Sequence, residues 1–167
     1  MYKFLIVAFV SISCSSNETG TAQVKNTSED PTLFTKTLLE FTRKNDFPGF
    51  RSFAISKGYR VTDSTKVRNG ENDGVDWVSV DTATNNSLIC FLDYTGLAIL
   101  DFVTYDELFS KAMKDHLKTL SFKYSNKKGP KGEDMELFED DKNMVVEIEN
   151  HQTKEGKKSI FSFMQFE

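Results

Sequence analysis

The chain has 167 residues, with 21 Lys and Arg against 25 Asp and Glu for a formal charge of −4, and only 2 cysteines. This acidic balance excludes the basic footprint that nucleic-acid binding needs, and two cysteines exclude a disulfide-stapled scaffold. At this length a core forms without such staples, since about two thirds of the unfolded surface is buried on folding.

The chain opens MYKFLIVAFVSISC, with Lys3 as a positive start, an apolar run from Phe4 to Val10, and Ser11-Ile12-Ser13 before Cys14. A run this short does not span ~30 Å of hydrocarbon, and the pattern is that of an export signal. The small residue before a cysteine resembles the lipobox of bacterial lipoproteins, and the polar Ser15-Ser16-Asn17-Glu18 after it is similar to lipoproteins of the Bacteroidota. The resemblance implies cleavage before Cys14, lipidation of that cysteine and a lipid-anchored place in the cell envelope, at the outer membrane. Ser11 stands where the family prefers Leu. Ser11 and Ser13 also satisfy the small-x-small rule of ordinary secretion, which cuts at the same bond. Either cut removes one cation, Lys3, and no acid, leaving 20 cationic residues against 25 acidic ones, a charge of −5.

Residues 14–30 hold one strong hydrophobe, Val24, among Ser, Thr and Asn, and predict a flexible tether behind the 1–13 signal. Asp30-Pro31 then has the chemistry of a helix start. Phe34, Leu38 and Phe41 keep helical spacing up to the stop at Asn45–Gly49. A shorter helical piece is expected over 50–57, ended by Gly58. Strands follow at 76–81 and 88–94, by alternation and by a nearly continuous apolar run. Thr104 with Glu107 forms a capping box for a second helix, whose Leu108, Phe109, Ala112, Met113, Leu117 and Leu120 share one broad face. Strands at 144–149 and 160–166 close the chain.

The later elements echo the earlier ones. Val78–Asp81 matches Val146–Glu149 in character, and 87–94 matches 159–166. The reading is an α+β fold: two tandem helix-plus-antiparallel-hairpin repeats, 31–96 and 104–167, packed as a single domain over 31–167 with helices on one face of an antiparallel sheet. In element order, though in no motif, this is similar to the beta-lactamase inhibitor protein and to small outer-membrane assembly lipoproteins.

Little in the chain carries chemistry. There is no nucleophile elbow, P-loop, dinucleotide fingerprint or CxxC, so no catalytic residue, cofactor or metal is expected. The loop 70–74 lacks the ligand spacing of a calcium site, and Cys90, inside an apolar run, reads as a small buried hydrophobe. His116 reads as a half-buried packing residue. Glu147, Glu149 and His151 follow strand spacing and would share a sheet face if the strand runs that far. The 15 Phe, 5 Tyr and 1 Trp exceed what one helix face needs. Trp77, Tyr59, Tyr94, Phe161 and Phe163 are therefore the expected interaction surface. The expected role is a non-enzymatic protein-binding or assembly module, held to the membrane by its N-terminal lipid, with another envelope protein as partner and no nucleic acid. An alternative is an immunity or inhibitor lipoprotein that inserts the acidic segment Glu133–Asp141 into a basic cleft of a toxin or hydrolase. A hydrolase, with carboxylates around Asp81 and Glu149, is the third reading.

Overall fold

The computed structural model describes residues 29–166 apart from 70–71, 82–83, 93–97 and 130–131, with backbone only for 62–69, 72–79, 91–92 and 98. The signal, Cys14, most of the tether and Tyr94 lie outside the described residues.

Helix α1 (Pro31–Lys44) forms where its ends are chemically specified. The Asp30 carboxylate accepts from Thr32 N at 2.9 Å, and Pro31 occupies the first turn. Asn45 ends the helix in the left-handed conformation (φ 53°). Helix α2 (Phe47–Ser56) starts three residues earlier than its sequence suggests, because Asp46 caps it through Gly49 N at 2.9 Å. Gly49 is required there: a Cβ would stand 2.2 Å from the capping carboxylate. Helix α3 (Glu107–Thr119) is capped by Asp106, not by Thr104. Thr104 still belongs to the preceding strand, opposite Ser159, so the Thr104–Glu107 capping box does not form.

The strands are β1 (Arg60–Asn69), β2 (Asn72–Asp81), β3 (Asn86–Leu92), β4 (Ala98–Thr104), β5 (Lys123–Lys128), β6 (Asp134–Glu139), β7 (Met144–Thr153) and β8 (Gly156–Gln165). With the helices they make an α+β fold. All pairings are antiparallel, and the order is β1-β2-β3-β4-β8-β7-β6-β5, so two four-stranded meanders meet at the β4–β8 seam. Strands β4 and β6 have no counterpart in the sequence reading. The matches it draws pair β2 with β7 and β3 with β8, whereas β2 is second in its meander and β7 third. Strand β7 runs past His151 to Thr153, with Lys154-Glu155 as a two-residue turn before Gly156 (φ 125°).

Alternation along the strands fixes where the core lies. One register row runs Leu88, Phe102, Phe161, Ile148; the next runs Cys90, Leu100, Phe163, Val146, Phe138. These residues are buried in one cluster with Phe34, Leu38, Phe50, Met113 and Leu117 from the helices. Helix α1 packs on α3, β4 and β8, and its Phe34 ring meets Phe102 at 4.8 Å and Phe109 at 5.7 Å, edge-on. A polar chain fastens α3: Ser110 to Ser159 at 2.9 Å, Ser159 to Asn150 at 3.0 Å, and Lys114 to Asn150 at 3.2 Å and Glu136 at 2.5 Å.

Three expectations are corrected here. Phe161 and Phe163 are wholly buried against the helices, and Tyr59 is buried after α2, so none of them forms a surface. Leu108 is 81% exposed rather than part of the α3 stripe. At 100° per residue it points away from the face that buries Ser110, Met113 and Leu117. Segment 133–141 is no free acidic hairpin, because β6 is paired on both sides, with β5 and β7.

Candidate functional site

The residues between the core positions form the second face of the sheet. One row across it reads Ile89, Asp101, Ser162, Glu147, Leu137, Ser125, and the next reads Ser87, Val103, Ile160, Glu149, Met135, Lys127. Ile99, Met164 and Val145 make a third. Ile89, Ile99, Ile160 and Met164 are half-buried there, and Val103, Met135 and Leu137 are buried. This is an apolar floor with carboxylates set into its middle.

Asp101 sits at the seam, on β4. Burial pushes its carboxyl up to about 6, the Ser162 hydroxyl bound to it works the other way, and Glu149 and Glu147 push it further up. Its Oδ1 is buried with no hydrogen-bond partner. Glu147 is also raised, first by burial; Lys127 opposes this and Glu149 adds to it. Glu149 and His151 bond at 2.8 Å, and β7 runs long enough to set Glu147, Glu149 and His151 on one face, as strand spacing requires. No three His, Cys, Asp or Glu converge as a metal would need among the described residues. Asp101 and Glu147 stand in one row with β8 between them, which separates their backbones by roughly 9–10 Å. That spacing leaves room for a cationic side chain to lie over β8 between them.

Two clefts lie elsewhere. One of about 380 Å³ is lined by Leu33, Phe34, Thr37 and Phe53, with Lys57 paired to Glu29 at 2.8 Å and over the Phe53 ring. Its charges cancel. The other, of about 370 Å³, has Arg43 bound to Asp140 at 2.8 Å along its wall beside Phe122. Asp140 is spent on structure, since it also accepts from Lys142 N and Met144 N.

Of the other sequence candidates, Trp77 has its backbone opposite Cys90 on β2, Cys90 is buried, and burial holds the Tyr59 phenol well above its usual range. His116 is half-buried with Nε2 unpartnered, and burial, then Lys36, holds its imidazole low while Asp30 opposes them. Asp81 accepts from the Thr84 hydroxyl at the end of β2, four strands across the sheet from Glu149. The structure thus brings Glu147, Glu149 and His151 together and leaves Tyr59, Phe161 and Phe163 in the core. Asp101 and Ser162 were missed. The signal for Asp101 was a lone acid at an alternating position in the apolar run Leu97–Val103. No protein-family model, curated protein or solved structure matches the chain significantly.

Proposed function

We propose that this chain is a non-enzymatic envelope lipoprotein that binds another envelope protein on the second face of its sheet. In this reading each half is one copy of a helix-plus-meander unit, α1-α2 with β1 to β4 and α3 with β5 to β8. The helices of both copies gather on the core face. The palindromic strand order and the shared helix–sheet cluster support this. With the helices on one side, the other side is left for a partner.

The observation that carries the reading is the composition of that second face. Half-buried Ile89, Ile99, Ile160 and Met164 surround carboxylates that carry a desolvation cost, with no cation among the described groups that act on Asp101. An apolar sheet face of this extent marks an interaction site, and carboxylates set into its middle, which interface centres ordinarily lack, call for a partner that pairs with them. Lipidation of Cys14 and a tether of about 16 residues, reaching ~20–25 Å, would hold that face off the membrane. The test is a photoreactive side chain at position 164 or 108 of the full chain in its native host. Position 164 is expected to yield a discrete protein adduct and position 108, on α3, none. Adducts from 108 alone, or from neither, would overturn the proposal.

A further inference from the structure

The middle of the second face carries more information than its apolar rim. Asp101 of β4 and Glu147 of β7 share one register row, with Ser162 of β8 between them, and Glu149 lies in the adjacent row. Among the described residues the cations of this face, Arg60 on edge strand β1, Lys123 and Lys127 on edge strand β5 and Lys158 at the hairpin end, lie toward its margins. Lys127 acts on Glu147 but is not among the groups that influence Asp101, and His151 is taken up by Glu149. The centre therefore holds negative charge over an apolar floor, and Asp101 Oδ1 accepts no hydrogen bond.

Resting on the reading that this face binds a protein, we infer that its partner is a basic, apolar protein segment that lays an Arg or Lys side chain between Asp101 and Glu147. A planar guanidinium donates to a carboxylate from two nitrogens and tolerates desolvation better than an ammonium, so Arg fits best. Its donors would pair with both carboxylates, while aliphatic neighbours on the segment cover Ile160 and Met164. A second copy of this chain is the wrong occupant: face to face, two copies would set Asp101, Glu147 and Glu149 against their own kind.

The purified full chain would be titrated with fluorescent 14-residue peptides that alternate Arg with Leu, Glu with Leu, or Arg with Ser. The Arg–Leu peptide should bind at least tenfold more tightly than the other two. Asp101→Asn combined with Glu147→Gln should weaken it at least tenfold. Asp134→Asn with Glu155→Gln removes the same charge from exposed positions off the site and should leave binding within about twofold. Equal binding of the Arg–Leu and Glu–Leu peptides would overturn the inference, as would equal loss in both double variants. So would a self-association that Met164→Arg abolishes, or an adduct from position 164 to residues 15–28 of the same chain. If position 164 captures a partner in the envelope while no Arg–Leu peptide binds, the face is a binding face for a different chemistry. If position 164 captures nothing, the parent reading has failed.

Discussion

Asp101 is where sequence, packing and function meet at the scale of one residue. A carboxylate at the centre of an apolar sheet face costs stability, because burial favours its neutral form. The raised value, about 6, means that the folded chain takes up a proton on Asp101 before the unfolded chain does as pH falls. Its penalty is therefore full above about pH 6 and fades as pH drops toward the ordinary carboxylate range. Asp101→Asn keeps the shape and a partner for Ser162 while removing the charge. Thermal unfolding at pH 7.5 should show the variant more stable by about 2 kcal/mol, with the gain vanishing near pH 4. A variant less stable than the parent at pH 7.5 would mean that the charge is satisfied where it stands. Asp140 behaves in the opposite sense. Burial alone would raise it, but the Met144 and Lys142 amides and Arg43 overcome that and hold it low. Its contribution is present above the ordinary carboxylate value and is lost as pH falls through the lowered one.

At the scale of elements, that carboxylate ties the C-terminal turn of α1 to the β6–β7 turn. Asp140→Ala strands two backbone amides and the Arg43 guanidinium, and should cost about 2 kcal/mol at pH 7, read by denaturant midpoint. Loss of under ~0.5 kcal/mol would show that the turn closes without it. Element boundaries were legible where local chemistry specified them. Asp30, Pro31 and Asn45 bracket α1 because caps act through residues two or three positions away. The α3 start was misplaced because Thr104 and Asp106 are both capping types, and the choice between them is made by Ser159, 55 positions beyond Thr104 in the chain. Strand β6 stayed hidden because Glu136 and Glu139 break its apolar pattern. Only the fold reveals that Lys114 neutralises Glu136. The second-face site was half legible: Glu147, Glu149 and His151 lie on one strand, whereas Asp101 and Ser162 join them only through the β4–β8 pairing. Alternation along β8 sets Phe161 and Phe163 on the face opposite Ile160 and Met164, but no local rule says which face the helices cover.

For the whole molecule, the proposed role gives the sheet the holding of a partner and the N-terminal segment the anchoring. If Cys14 carries lipid, Cys14→Ser should move the chain from membranes into a soluble fraction or leave the precursor uncut, and a fatty-acid analogue should label the parent alone. Its thermal midpoint should not move, because the core begins at Phe34. An unlabelled, soluble parent would leave ordinary secretion through Ser11 and Ser13 in place of the anchor. The central claim is that the second face is occupied in the cell, and methionine oxidation reads this without altering the chain. Met164 lies half-buried on that face, while Met113 and Met144 are wholly buried in the core. Brief peroxide treatment followed by mass spectrometry should oxidise Met164 in the purified chain, spare it in the intact envelope, and spare Met113 and Met144 in both. Equal oxidation of Met164 in the two settings would contradict the claim.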